Sequence, residues 1–415
     1  MTRADAIVVG AGPAGSVAAL VLARAGLRVR LVDRASFPRF KLCGDTLNPG
    51  ALSILDTLSS PAQTRGAGPG AGTLATRVRE RARPIEGMTV SGPGGVAVTA
   101  RYPRGLQGAA VTRRVLDAVL LEAAIGAGAE FEPDVRVLGP VLVDGRVAGV
   151  RVAGESGDAA LAARIVVAAD GRGSRLAGQL HLARFAPRPR RWAFGAYFED
   201  VDGLTACGEM HLRQGAYIGV APLPGGIANV CVVRPLPGGG AAGRLDAEAI
   251  LGAAIAGEPM LRDRFASARQ VSGVATLGPL GVNARAAGMP GLLLAGDAAG
   301  FIDPMTGDGL RFALRGGMLV AEAALAELAS GRPACAALRA ARAAEFSRKW
   351  RINRALRSLA GSPRALALAS LAAARWTAPV QYLIGVAGDV DLVPAGAGPI
   401  APAELRCHPL RSSPD

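Results

Sequence analysis

The sequence predicts an α/β fold with an inserted antiparallel β-sheet domain and a C-terminal helical segment. Three observations lead to this prediction: a glycine-rich strand–turn–helix at the start, two later buried strands that each end in an Asp/Gly pair, and a middle stretch with period-two alternation. A chain of 415 residues, 50% of them hydrophobic, is long enough for more than one core. We place the first domain in 1–80, 100–180 and 271–330, the β-sheet domain in 81–99 and 181–270, the helical region in 331–392 and a tail in 393–415.

The first element is a β-branched strand, Ile7–Val9, followed by Gly10, Gly12 and Gly15, a helix, and a second strand that ends at Asp33. In a G-x-G-x-x-G turn the first glycine allows the turn, the second lets the backbone approach a pyrophosphate, and the third lets the helix pack on the strand. The acidic residue accepts hydrogen bonds from a ribose. This pattern predicts a Rossmann-like dinucleotide-binding domain, but it does not separate NAD from FAD.

Two later motifs repeat the arrangement of a buried strand followed by an acid and a glycine. The strand before Asp170 and Gly171 is apolar, and so is the strand before Gly296 and Asp297. A loop rich in proline and glycine follows the second motif, and a helix begins near Gly309. Carboxylates at the ends of parallel strands meet at one edge of a sheet, where such folds bind their ligands.

In this order the three motifs resemble those of the FAD-dependent oxidoreductases of the p-hydroxybenzoate hydroxylase superfamily, over residues 4–328. The resemblance implies FAD, with Asp170 near the pyrophosphate, Asp297 on the ribityl chain and Arg113 beside the flavin. The cofactor-binding residues expected from the motifs and the resemblance are Gly10, Gly12, Ala14, Gly15, Asp33, Arg34, Cys43, Gly44, Arg113, Asp170, Gly171, Gly296, Asp297, Pro304, Gly307 and Gly309.

The loop after the third motif is expected to lie against the flat flavin ring. Pro304 and Gly307 shape this loop, and the helix that begins near Gly309 directs its positive end at the ring. A reduced flavin carries negative charge near its pyrimidine edge, so this helix would stabilise the reduced state.

The stretch FPRFKLCGDTLNPGAL, residues 37–52, resembles the geranylgeranyl reductase-like branch of the superfamily and related tailoring enzymes. The resemblance places Lys41 and Cys43 near the flavin, and with Pro304 they are the candidates for a role in the chemistry. Arg39 and Lys41 would neutralise phosphates or attract an anionic group. For Cys43 three roles stay open: packing, contact with flavin or substrate, and direct chemistry.

Four aromatic residues in the alternating middle stretch are candidates for the substrate pocket: Trp192, Phe194, Tyr197 and Tyr217. The segment 215–222, GAYIGVAP, lacks the Trp-x-Trp-x-Ile-Pro signature of flavin halogenases and the Tyr/Trp-rich signature of prenyl reductases. Both departures favour a tailoring hydroxylase.

The composition of the chain indicates which kinds of partner and which cellular compartment to expect. A formal charge of +14 favours anionic ligands, including an anionic or carrier-bound substrate, but no basic run or aromatic–basic interleaving of nucleic-acid type accompanies it. No cysteine or histidine spacing indicates a metal site. Five scattered cysteines are typical of a reducing cytosol, and the apolar stretches, interrupted by Gly and Pro, do not predict a transmembrane segment.

The function expected first is therefore an FAD-dependent monooxygenase, of hydroxylase or epoxidase type, in secondary metabolism. NAD(P)H or a partner flavin reductase would supply electrons, and an oxygen atom of O2 would pass to a hydrophobic aromatic or olefinic small molecule. The alternative is an FAD-dependent reductase or dehydrogenase of C=C bonds, as the geranylgeranyl reductase-like stretch implies. A non-catalytic flavoprotein is the third hypothesis.

Overall fold

The structure is a computed structural model that describes residues 4–59, 72–154, 157–186, 190–236, 246–302 and 304–393. The helices, in chain order, are α1 (Pro13–Arg24), α2 (Pro49–Leu58), α3 (Leu74–Arg79), α4 (Arg113–Gly126), α5 (Arg175–Gln179), α6 (Ala247–Ala256), α7 (Gly309–Ser330), α8 (Cys335–Gly361), α9 (Pro363–Arg375) and α10 (Ala378–Gly388). The expected tail beyond 393 lies outside the described residues.

The strands of the N-terminal half are β1 (Ala4–Val9), β2 (Val29–Val32), β3 (Thr46–Leu47), β4 (Arg83–Ile85), β5 (Gly87–Ser91), β6 (Ala97–Arg101), β7 (Gly108–Ala110), β8 (Glu130–Glu132), β9 (Val137–Val143), β10 (Arg146–Gly154) and β11 (Gly157–Ala168). Those of the C-terminal half are β12 (Ala183–Phe185), β13 (Arg191–Glu199), β14 (Cys207–Arg213), β15 (Ala216–Pro222), β16 (Ala228–Pro235), β17 (Arg269–Gln270), β18 (Ala275–Leu277), β19 (Val282–Ala284), β20 (Gly288–Met289) and β21 (Leu292–Leu294).

A parallel sheet carries the three sequence motifs. Its strand order is β20-β21-β11-β1-β2-β8, and β1 pairs in parallel with both β2 and β11. Strand β1 is buried on both faces, as its unbroken apolar run predicts. One face packs against α1, α4 and α7. The other packs against β9, β10 and the first half of β11, which continue the same sheet as an antiparallel meander. The carboxyl ends of β1, β2, β11 and β21 therefore meet at one edge.

A second, mainly antiparallel sheet has the order β17-β13-β16-β15-β14-β5-β6, and β18 also pairs with β13. Period-two alternation gives it two distinct faces. Val230 and Val232 of β16 point into a core shared with α6, whereas Asn229 and Cys231 of the same strand point to a cavity on the other side. Helices α8, α9 and α10 lie beyond this cavity, since their side chains complete its wall. The predicted fold class is confirmed, while the exact domain boundaries stay a prediction.

Candidate active site

The turn between β1 and α1 has the geometry of a phosphate-binding loop. Gly10 has a φ of +100°, and a Cβ there would lie 2.4 Å from the carbonyl oxygen of Ala169. A Cβ at Gly15 would lie 1.7 Å from the carbonyl oxygen of Gly10, so neither position accepts a side chain. Gly12, the N-cap of α1, differs because the nearest atoms to its Cβ position are the guanidinium nitrogens of Arg39 at 3.5 Å and Arg113 at 3.8 Å. Its backbone thus faces cations rather than packed carbon, which suits a bound phosphate.

Asp33 lies buried at the end of β2, where the fingerprint predicts the ribose-binding acid. Its two carboxylate oxygens accept hydrogen bonds from the backbone N–H groups of Ala11, at 2.7 Å, and Ala35, at 3.0 Å. These bonds fix the carboxylate beside the glycine turn and leave each oxygen a further lone pair for a hydroxyl donor. The neighbouring Arg34 is exposed.

Three cations converge at the edge of the parallel sheet: Arg39, Lys41 and Arg113, which we call the cofactor-end cations. Arg113 donates to both oxygens of Asp117, at 2.7 and 2.8 Å, and Arg39 lies 3.3 Å from the same buried carboxylate. Among the described residues, Asp117 is the one carboxylate within ion-pair distance of these cations. Three positive charges therefore share one fully buried carboxylate at ion-pair distance, while Asp33, Asp45 and Asp297 act on them from farther away. Lys41, which has no ion-pair partner among the described residues, suits an anionic ligand.

Electrostatics at this cluster follow from burial and from neighbours of both signs. Burial acts to lower the pKa of Arg113, but Asp117 outweighs it and holds that pKa above the usual value. Burial lowers the pKa of Lys41, and the nearby Arg113 lowers it further. Burial likewise lowers the pKa of Arg39. A bound diphosphate would relieve this repulsion, because its negative charge favours the protonated lysine and the guanidinium groups.

The second motif places Asp170 and Gly171 beside this cluster. Asp170 Oδ2 accepts the backbone N–H of Arg175 at 2.9 Å, while its buried Oδ1 has no partner among the described residues. Burial raises the pKa of this carboxyl group. Gly171 adopts a φ of +80°, and a Cβ there would lie 3.7 Å from the Lys41 ammonium. A buried acceptor such as Asp170 Oδ1 is normally hydrogen-bonded, and a hydroxyl group of a ribose or a ribityl chain could donate that bond.

The third motif lies against the first. A short 3₁₀ turn, Gly296–Ala299, carries Asp297, and a Cβ at Gly296 would lie 3.0 Å from that of Ala14 on α1. A second 3₁₀ turn, Pro304–Thr306, leads through Gly307 to α7 at Gly309. The side chain of Pro304 lies outside the described residues. The donors, the glycine cradle and the orphaned Asp170 oxygen together fit a flavin dinucleotide.

A cavity of about 420 Å³ continues from this edge into the space between the second sheet and the C-terminal helices. Gly44 and Gly307 line it at the cofactor end, and Leu366, Trp376 and Leu383 line it on the helical side. The lining is almost entirely apolar. Among its described residues Glu209 is the single charged one, and Arg264 donates two bonds of 2.8 Å to that carboxylate.

The four predicted pocket aromatics lie around this cavity rather than in its described lining. Trp192 and Phe194 occupy the α6 face of the second sheet, because they share a parity on β13 that points away from the cavity. Tyr217 packs in an apolar cluster with Leu42 and Met305. Tyr197, of opposite parity, directs its hydroxyl to the cofactor end.

There Tyr197 donates a 2.7 Å hydrogen bond to Asp45 Oδ2, which also accepts a 2.7 Å bond from the side-chain amide of Asn229. The same amide donates to the backbone carbonyl of Cys43 at 2.7 Å. Burial raises the pKa of Asp45 to about 6, against the lowering effect of these hydrogen bonds, and burial also raises the pKa of the Cys43 thiol. Asn229, which lines the cavity, thus connects the two groups to the cavity wall.

Sequence reasoning did not find Asp45, Asn229 or Arg172 as site residues. Asp45 lies within the quoted stretch, but its role depends on β13 and β16, which are distant in sequence. Arg172 follows the second motif directly; burial lowers its pKa, and the charge of Asp297 acts in the opposite direction. Its position next to the Asp-Gly motif was the feature of the sequence that could have identified Arg172 as a site residue.

The fold and this edge define an FAD-dependent oxidoreductase. The chain belongs to the FAD binding domain family, whose profile matches residues 3–222, and hence to the p-hydroxybenzoate hydroxylase-type superfamily. The resemblance predicted from the motifs and the assignment of FAD are confirmed. The use of NAD(P)H stays a prediction.

Curated relatives include digeranylgeranylglycerophospholipid reductase 1 of Methanopyrus kandleri, 33% identical over 77% of this chain and 80% of that protein. Menaquinone reductase of Mycolicibacterium smegmatis is 31% identical over 77% of this chain and 76% of that protein. Among solved structures, a flavin-dependent brominase has a TM-score of 0.75 at 18% identity, covering 93% of this chain and 94% of the brominase. At that identity the brominase supports the fold alone.

Proposed function

We propose that this protein is an FAD-dependent reductase of C=C bonds in a molecule that carries a long apolar, polyprenyl-type chain. The observation that carries the proposal is the apolar cavity, which begins at Gly44 and Gly307 beside the cofactor-binding edge and ends among the C-terminal helices. The names of both reductase relatives pair reduction with a molecule bearing polyprenyl chains, which supports this substrate class. The Lys41–Cys43 stretch supports it as well, through its resemblance to the geranylgeranyl reductase-like branch.

The residues that would hold FAD are the glycine turn with Asp33 for the adenosine half, the cofactor-end cations for the pyrophosphate, and Asp170 with Asp297 for hydroxyl groups. When bound and reduced, FAD supplies a hydride. The N-terminus of α7, which begins at Gly309, presents its positive end beside Gly307 and the cavity. The apolar walls exclude water and orient the chain of the substrate.

Reduction of a C=C bond adds a hydride to one carbon and a proton to the other, so the protein must hold a proton at the cofactor end. Cys43 and Asp45 are the candidates, because burial raises the pKa of both and keeps a proton on each at higher pH than usual. Tyr197, half-buried and 2.7 Å from Asp45, connects that carboxyl group toward the surface. Lys41, held among arginines, has the charge to orient an anionic group.

The monooxygenase expected first from the sequence is the alternative function. It is favoured by the segment 215–222, which lacks the prenyl reductase signature. A monooxygenase would use O2 as a substrate. NAD(P)H or a partner reductase would supply electrons to the flavin for either function. We also propose a reducing, cytoplasmic location, because the scattered cysteines form no disulfide framework in the sequence.

The experiment that separates the two functions is anaerobic turnover. The FAD-loaded protein is reduced with dithionite without oxygen and mixed with a geranylgeranyl lipid, which has no quinone ring to accept the electrons. We expect the oxidised-flavin absorbance to return and mass spectrometry to show a product heavier by two hydrogens. Return of that absorbance only after oxygen is admitted, with an oxygenated product, would instead establish the monooxygenase.

A further inference from the structure

Helix α9 is apolar on two opposite sides, and among the residues that the structure describes only one of these sides is covered. Its inner side contributes Leu366, Ala369 and Ala373 to the cavity wall. Its outer side exposes Leu368 by 68% and Leu371 by 63%. Large apolar groups that are neighbours on one helix face and open to solvent indicate an interaction surface.

Arginines border these leucines. Arg364, Leu368, Leu371 and Arg375 are spaced by four, three and four residues, so they form one stripe along the helix. Both arginines are exposed. Trp376 follows directly and is 69% exposed. We call these five residues the α9 outer face.

The segment that carries this face has an excess of positive charge. Residues 346–388 contain six arginines and no aspartate or glutamate; their one lysine, Lys349, is buried against Asp308 and Asp389, and Arg348 lies 3.7 Å from Asp391. The arginines at 351, 354, 357, 364 and 375 have no carboxylate partner among the described residues. This surplus is complementary to an anionic partner and repels a cationic one.

We propose that the α9 outer face docks on the surface of a lipid bilayer with anionic headgroups. Leucines and a tryptophan that enter the boundary of headgroups and acyl chains, flanked by arginines that contact phosphates, are the pattern of an interfacial helix. No helix within the described ranges is both long and apolar enough to cross a membrane, so the docking is in the plane of the surface.

Two other occupants of this face lack charge complementarity. A second copy joined through a two-fold axis would bring the same unpaired arginines together. The chain after residue 393 has two acidic and two arginine side chains, and therefore carries no surplus of negative charge for this face.

The position of Trp376 connects the face to the cavity. This side chain is exposed and also lines the cavity, so the cavity opens beside the docking surface. An apolar substrate would pass from the bilayer to the cofactor end without crossing water. This last step rests on the proposed function, whereas the docking itself does not.

The test is co-sedimentation of the full, FAD-loaded chain with vesicles of phosphatidylcholine, with and without phosphatidylglycerol. We expect binding to the anionic vesicles, weakened at least tenfold by salt or by omission of phosphatidylglycerol. Leu371→Glu should weaken binding at least tenfold. Leu142→Glu is the matched control, because Leu142 is 51% exposed on β9 of the first domain, and it should bind like the wild type.

FAD content and thermal unfolding verify that both variants fold, and anaerobic turnover of a short, water-soluble olefin is measured separately. Leu371→Glu should keep that turnover, since Leu371 is not among the lining residues of the cavity. Equal binding to neutral and anionic vesicles, equal loss in both variants, or a dimer that Leu371→Glu dissociates would each overturn the docking. Absence of reduction of both the short olefin and the geranylgeranyl lipid by the wild type would overturn the proposed function and leave the docking result standing.

Discussion

The two lysines of the chain, Lys41 and Lys349, occupy opposite electrostatic environments. Lys41 lies beside Arg39 and Arg113, and burial together with Arg113 lowers its pKa. Lys349, on α8, is buried between the carboxylates of Asp308 and Asp389, donates to both, and donates to the backbone carbonyl of Ala387 at 3.1 Å. Lys41 has neighbours of both signs, since Asp297 and Asp117 act against Arg113 and Arg39, and no carboxylate of the described residues lies within ion-pair distance of it. Lys349 has two negative partners in direct contact.

This difference separates a ligand site from a structural connection. Asp308 is the N-cap residue of α7, and Asn48 at the start of α2 donates to Asp389 at 3.1 Å. Lys349 and these partners, which we call the C-terminal latch, therefore join α8 and the end of α10 to the cofactor-binding domain. Among the cofactor-end cations, Arg39 and Arg113 share the single carboxylate of Asp117, and Lys41 has no carboxylate of the described residues within ion-pair distance, so positive charge is available to a bound anion.

The largest effect is expected from the same substitution at the two lysines. Lys349→Met removes the cation that contacts both buried carboxylates, leaves Asp389 with Arg311 at 3.4 Å as its remaining cation, and should lower the free energy of unfolding by about 3–5 kcal/mol. Lys41→Met removes a cation that has no carboxylate within ion-pair distance among the described residues, and it should leave the unfolding of the FAD-free protein near the wild type. Urea unfolding of both variants measures this. Equal destabilisation would mean that the two environments do not differ as described.

Asp45 extends the comparison to the carboxyl groups. It is buried at the cofactor end and has no lysine partner among the described residues, whereas Asp308 and Asp389 are paired with Lys349. The pKa of Asp45 is raised from 3.8 to about 6, so the folded state holds its proton more tightly than the unfolded state. This contribution to stability is present below about pH 4 and is lost as the pH rises to about 6, at a cost of about 2–3 kcal/mol.

Asp45→Asn carries no titrating proton and should lack this decline. The free energy of unfolding of Asp45→Asn minus that of the wild type should therefore be larger at about pH 7 than at about pH 4. Urea unfolding of the FAD-loaded proteins at both pH values measures this difference. A difference between variant and wild type that stays constant across this range would show that Asp45 does not titrate there.

The smallest effect concerns a single cofactor-end cation. Arg39→Met should weaken FAD binding roughly tenfold, about 1.4 kcal/mol, because one charged hydrogen bond is lost while Arg113 and Lys41 remain. Unfolding of the FAD-free variant should change little. Arg34→Met, at an exposed position on the same segment, is the control for titration of the apoprotein with FAD. Unchanged affinity in Arg39→Met would remove Arg39 from the phosphate site.

Much of the candidate cofactor site was predictable because it is encoded in short segments. Gly10 and Gly15 are required by contacts of their own turn and its adjoining strand, and Asp33 follows directly from the end of β2. Each of these motifs specifies a local backbone shape, which a sequence shows by residue type and spacing. For the same reason the helical C-terminal region and the alternating middle sheet were recognisable.

The neighbours of each side chain were decided only by the tertiary structure. The pocket aromatics illustrate this. Phe194 and Tyr197 lie on opposite faces of β13, so Phe194 packs in the α6 core and Tyr197 reaches Asp45. Lys349 meets Asp308 across 41 residues of sequence. Local spacing determines which backbone forms, but charge balance, burial and cavity walls depend on distant segments that pack together, and no short motif records that packing.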